Sequence, residues 1–143
     1  MRSPDFLTAA GIGVADLDRS ARFYREVVGM TETQRFHLDH MEEIVLAHEG
    51  RPGVILMHWT DGSAPSYANL PIKLVFYVQD AAAMAQRVRD AGLPVTREPE
   101  ALESLGGAKV CLARDPDGYV VEFIERPARP ASTAAAAAQP ASV

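Results

Sequence analysis

One pattern occurs twice in this chain, with 64 residues separating the helix-opening Asp16 and Asp80 and 63 separating the helix-ending Gly29 and Gly92. An internal repeat narrows the possible folds more than composition does, because each copy must help to bury its neighbour. In the first copy, Phe6–Val14 reads as a strand, and Asp16 or Asp18 caps a helix whose apolar stripe is Phe23, Tyr24, Val27 and Val28. Gly29 ends that helix, and strands are expected around Thr31–Phe36, Glu43–His48 and Val54–Trp59. In the second copy the strand is Ile72–Val78 and the helix carries Met84, Val88 and Ala91. Strands are then expected near Val95–Arg97, Lys109–Arg114 and Tyr119–Glu125, the last two joined by a type I turn at Asp115-Pro116-Asp117-Gly118. The expected class is α+β, with two paired βαβββ modules forming a curved mixed sheet around a cleft. Residues 1–60 are the first module, 61–70 a linker, 71–125 the second module, and 126–143 a disordered Ala/Pro-rich tail.

Composition narrows the partners. The chain has 143 residues and a net charge of −5, from 14 Lys+Arg against 19 Asp+Glu, so it offers no basic face to nucleic acid. Cys111 is the single cysteine, which excludes an internal disulfide and a thiolate zinc cluster. No apolar run approaches the ~20 residues of a membrane span, and the first residues lack a signal peptide's apolar stretch. These features lead us to expect a cytoplasmic protein whose partner is a small molecule.

Two segments carry a resemblance. They are Val14-Ala15-Asp16-Leu17-Asp18-Arg19-Ser20-Ala21-Arg22-Phe23-Tyr24 with Val28-Gly29-Met30, and Asp115-Pro116-Asp117-Gly118-Tyr119-Val120-Val121-Glu122. With the duplicated βαβββ order, the chain resembles the vicinal oxygen chelate superfamily, which includes glyoxalase I, extradiol dioxygenases and bleomycin-resistance proteins. The resemblance spans residues 6–125. It implies a divalent metal held by one ligand from each of four strands, at positions that fall here on Ala9, Leu56, Lys73 and Glu122. Alanine and leucine have no donor atom and a lysine ammonium repels a cation, so only Glu122 survives as a ligand. No metal or other cofactor is therefore expected.

Lys73, Val75 and Tyr77 form one face of their strand, and Ile72, Leu74, Phe76 and Val78 form the other. Both faces are apolar, so Lys73 is expected on a strand covered on both sides, paired with Glu122 in the vacated metal region. Loss of either partner would then cost about 3–5 kcal/mol. His58 is placed on the cleft face with Leu56, and Tyr77 faces it from the opposite strand. Lys73, Glu122, His58 and Tyr77 are the candidate catalytic residues. Ala9, Gly11, Leu56, His58, Val75, Tyr77 and Val120 are the candidate ligand-lining residues. Glycines at 11 and 13 fit either backbone crowding or a wall kept open for a ligand. His37, Asp39, His40, Glu42 and Glu43 fall at a strand connection and are read as solvated. Cys111 is read as a small core residue.

Three functions fit this reading. The first is metal-independent binding of an organic small molecule, as in drug sequestration. The second is a metal-free lyase or isomerase using Lys73, Glu122 and His58. The third is a metalloenzyme resembling glyoxalase I. The resemblance also implies a homodimer.

Overall fold

The computed structural model describes residues 5–128. The end of the Ala/Pro-rich segment, 129–143, lies outside the described residues. The first module runs β1 (Ala10–Gly13), α1 (Leu17–Arg22) continuing as a π-helical segment (Phe23–Val28), β2 (Thr31–His37), β3 (Met41–His48) and β4 (Arg51–Trp59). The second runs β5 (Lys73–Val78), α2 (Ala81–Asp90), β6 (Val95–Leu102), β7 (Ala108–Arg114) and β8 (Val120–Glu125). Strand order is β1-β4-β3-β2 in one sheet and β5-β8-β7-β6 in the other. The first strand of each pairs parallel to the last, and the other pairs are antiparallel. The fold is α+β, with the expected module order, as two four-stranded mixed sheets.

Local chemistry explains the elements. Asp16 and Asp80 cap the two helices, each Oδ1 accepting from the backbone N–H three residues on, at 3.0 and 2.9 Å. Gly29 closes the first helix at φ 90°, where a side chain would strain the backbone. The π-helical stretch turns Phe23, Tyr24, Val27 and Val28 all inward. β1 is shorter than expected because only four residues find partners, Val54–Met57, and Phe6 and Leu7 project into solvent.

The core lies on the helix-facing sides of the sheets. Ile12, Ile44 and Leu56 come from one sheet and Phe76, Cys111 and Phe123 from the other, with Tyr24 and Met84 from the helical segments between them. Tyr24 and Phe76 sit 6.3 Å apart across the modules, and Phe76 stacks on Phe123 at 5.9 Å. Burying both inner faces leaves each sheet an outer face and leaves β1 and β5 as edge strands, unpaired on one side among the described residues. The expected cleft between the modules is thus not enclosed by one chain, because the core occupies the space between the sheets and the outer face of β5 stays open.

Candidate functional site

The strand ladders place the repeat's equivalent positions. Ile12 pairs with Leu56 in the first sheet and Phe76 with Phe123 in the second. Leu56 is therefore the counterpart of Phe123, and Ile55 is the counterpart of Glu122. Leu56 is fully buried in the core, so its assignment to the ligand-lining set is corrected. A one-residue step along a strand reverses its face. Ile55 and Leu56 are both apolar, so the sequence holds no signal to choose between them. The position matching the family's ligand is Ile55, which likewise has no donor atom.

On the outer face of the second sheet, Lys73 Nζ lies 3.0 Å from Glu122 Oε2. The expected pair exists, but its setting differs. The Lys73 side chain is 55% exposed and that of Glu122 16%, while Val75 and Tyr77 on the same face are 51% and 66% exposed. The strand is covered on one face only, because the helices pack solely against Leu74, Phe76 and Val78. Val120 and Ile124 flank Glu122 half-buried, and the Arg126 guanidinium lies 3.7 Å over the Tyr77 ring. The patch thus offers a salt-bridged ammonium, a carboxylate, apolar side chains and a cation-capped phenol on one surface.

The first sheet's outer face is carved and refilled. A Cβ on Gly11 would meet Met57 Sδ at 3.0 Å, and one on Gly13 would meet the Tyr67 ring at 3.2 Å. Crowding by these side chains accounts for both glycines. Ala9 stays half-buried on this face. His58 has moved away from the expected cleft, since alternation gives it the face of buried Leu56. Its Nδ1 donates to the Val14 carbonyl at 2.9 Å, and its ring stacks on Tyr67 at 5.5 Å. Its counterpart in the repeat, Glu125, accepts from Ala81 N at 2.8 Å. Both residues tie a last strand to the start of a helix.

Sequence reasoning missed the seam between the modules. Asp115 is buried and accepts from Tyr24 Oη at 2.7 Å, from Asp117 N at 3.0 Å and from Tyr119 N at 2.9 Å. Asp117 accepts from Ala15 N at 2.9 Å and Ser20 Oγ at 3.1 Å, while Tyr119 Oη donates to the Gly13 carbonyl. Burial, then the Asp115 charge, holds the Tyr24 phenol far above its usual value, and burial pushes Tyr119 up to about 12. In sequence this segment read as a turn and as part of the resemblance, with no role between the modules. Its one further signal was the quantity of hydrogen-bonding groups it carries.

The remaining candidates behave as surface or core. His37 meets Glu42 at 3.0 Å in solvent, and Cys111 is buried, its thiol pushed up by that burial. Among the described residues no three His, Cys, Asp or Glu side chains converge as a ligand set. The family's divalent metal does not fit the four equivalent positions either, because alanine, isoleucine and an ammonium already paired with the lone carboxylate supply no cation shell.

Paired βαβββ modules whose last β-turn locks onto the opposite helix define a class of fold. The Glyoxalase/Bleomycin resistance protein/Dioxygenase superfamily matches residues 7–123, and the chain belongs to this superfamily. It is 30% identical to a lactoylglutathione lyase of Haemophilus influenzae, covering 78% of this chain and 86% of that protein. It is 28% identical to a lactoylglutathione lyase of Arabidopsis thaliana, covering 79% of this chain and 41% of the relative. The chain thus spans about two fifths of the plant relatives' length. Glyoxalase I from Zea mays superposes with a TM-score of 0.69 at 23% identity, over 86% of this chain and 45% of that one. TnmS3, an antibiotic binding protein from a Streptomyces species, does so with 0.68 at 19%, over 89% and 100%. No helix among the described residues is long and apolar enough to cross a membrane.

Proposed function

We propose that this chain binds an organic small molecule on the outer face of its second sheet, with no metal at the family's position. The observation that carries the proposal is the 3.0 Å contact between Lys73 Nζ and Glu122 Oε2, which puts an ammonium where a relative would hold a cation. Val75, Tyr77 and Val120 supply the apolar wall, and the small Ala9 stands at the start of the other module's equivalent strand. A second copy of the chain completes the cleft in this reading, since β1 and β5 are both free edges and the outer faces are open. The antibiotic-binding neighbour supports the binding reading.

The lactoylglutathione lyase relatives support a second reading, a metal-free lyase or isomerase. There Glu122 would accept a substrate proton and the Lys73 ammonium would stabilise the developing oxyanion, while His58, tied to the Val14 carbonyl on the core face of the first sheet, takes no part. Native mass spectrometry of protein purified without chelator, before and after excess Zn²⁺ or Ni²⁺, tests both. A metal-free dimer that carries or takes up an intact organic molecule supports binding. Turnover of the methylglyoxal–glutathione hemithioacetal without metal selects the lyase. A stoichiometric metal lost on Glu122→Gln overturns the metal-free reading.

A further inference from the structure

The two halves of the repeat differ at equivalent seams. Seven residues separate Leu46 from its partner Val54, and seven separate Ala113 from Val121, so the two turns are equal in length, although a bulge after Leu46 pairs His48 with Arg51 and makes the first the tighter hairpin. His48 stands at the position of Asp115, Gly50 at that of Asp117, and Pro52 at that of Tyr119. At the first seam, the Asp117 carboxylate accepts from Ala15 N at 2.9 Å and Ser20 Oγ at 3.1 Å. The counterparts of Ala15 and Ser20 in the second module are Gln79 and Met84. Both line a cavity of about 420 Å³ at the second seam, together with His48, Arg87, Val28 and Tyr77. Where Ala15 and Ser20 meet a carboxylate, their counterparts Gln79 and Met84 meet a space.

Apart from Asp80, the polar groups that face that space can donate. Among the described residues the Gln79 N–H meets no acceptor, whereas the equivalent Ala15 N–H is held by Asp117. Arg87 has no carboxylate partner among the described residues; its Nε donates to the Val27 carbonyl at 3.0 Å and anchors the guanidinium at the cavity. His48 sits edge-on to Phe76 at 6.2 Å, with both ring nitrogens free of protein partners among the described residues. Asp80 also borders the cavity, but its Oδ1 already accepts from Ala83 N at 2.9 Å, and its charge disfavours a polyanion. Val28, Met84 and Tyr77 give the remaining wall an apolar surface.

We propose that this cavity binds a small organic monocarboxylate, whose oxygens take at the second seam the role that Asp117 plays at the first. The carboxylate would accept from the Gln79 N–H and the Arg87 guanidinium, with His48 at its side and its carbon chain against Met84 and Tyr77. Binding there would tie the first module to the start of α2, as Asp117 ties the second module to the start of α1.

The test is a ¹⁵N NMR titration of the full chain with sodium acetate against sodium chloride at constant pH and ionic strength. A saturating shift of the Gln79 amide in the millimolar range, with Ala15 unmoved, is expected. Arg87→Met should weaken acetate at least tenfold, and His48→Gln should weaken it severalfold. If Arg87→Met fails to fold, the His48→Gln titration and the Gln79 shift decide. A Gln79 drift no different in chloride, or an acetate affinity unchanged in the folded variants, overturns the site. Tighter binding of inorganic phosphate than of acetate overturns the carboxylate assignment.

Discussion

Tyr24 donates its phenolic proton to the Asp115 carboxylate at 2.7 Å, joining the π-helical segment of the first module to the β7–β8 turn of the second. Both groups are buried, and the other Asp115 oxygen is taken by the N–H groups of Asp117 and Tyr119. A buried carboxylate is tolerable only with its acceptor sites filled. The seam is therefore a fully satisfied polar joint within an apolar core.

Tyr24→Phe leaves Asp115 Oδ2 buried without its donor. The expected loss is about 1–3 kcal/mol of unfolding free energy, larger than a surface hydrogen bond would give. Urea unfolding followed by circular dichroism checks this. A change within a few tenths of a kcal/mol would mean that water replaces the phenol.

The same joint has a pH signature. Burial, the largest cause, raises the Asp115 carboxyl above its ordinary 3.8. The folded state then binds that proton more tightly than the unfolded state. This contribution to stability is fully present below the ordinary carboxyl value and is lost as pH rises through the folded value. Asp115→Asn removes it while keeping an acceptor for the two N–H groups. Wild type should therefore gain on the variant as pH falls from 7 toward 3.5. Urea midpoints for both proteins across that range give the sign, and a wild-type midpoint that falls relative to the variant's toward acid contradicts it.

Lys73→Met should change stability by less than ~1 kcal/mol, because the ammonium is 55% exposed and water screens the pair. The 3–5 kcal/mol expected for a covered strand applies only where both charges are desolvated. Thermal unfolding of Lys73→Met and Glu122→Gln distinguishes the two settings. A large loss in Lys73→Met that grows with protein concentration would place the pair inside a dimer.

Gly13→Ala and Gly11→Ala should differ. At Gly13 the new methyl meets the Tyr67 ring at 3.2 Å, and Tyr67 is held by its stack on His58 and by Trp59 N at 3.0 Å. The added methyl should cost about 1–3 kcal/mol and shift Trp59 fluorescence. At Gly11 it meets only the flexible end of Met57, which can turn aside, so the cost should be smaller. Equal effects in thermal melts would assign both glycines to backbone needs.

Periodicity and capping made the architecture legible. Asp16 and Asp80 sit at the helix starts, Gly29 takes φ 90°, and the repeat spacing carries every element into its counterpart. Those signals are local, because a cap, a left-handed glycine or an alternating strand is settled within a few residues. The Lys73–Glu122 pair was legible for a related reason, since strand alternation and the family's motif put both side chains on one face.

Tertiary structure decided the rest. Ile55 and Leu56 are equivalent as residue types, and only the pairing of Ile12 with Leu56 turns the second of them into the core. Exposure of Lys73 depends on which sheet faces the helices cover, and no single strand carries that information. Asp115 and Asp117 looked like turn residues, and they became the joint between modules only when Tyr24, Ala15 and Ser20 arrived from about ninety to a hundred residues away. Local sequence sets which elements form and where they stop. Burial, register and partnership are properties of the assembled chain, because each depends on groups that the sequence brings together only through the fold.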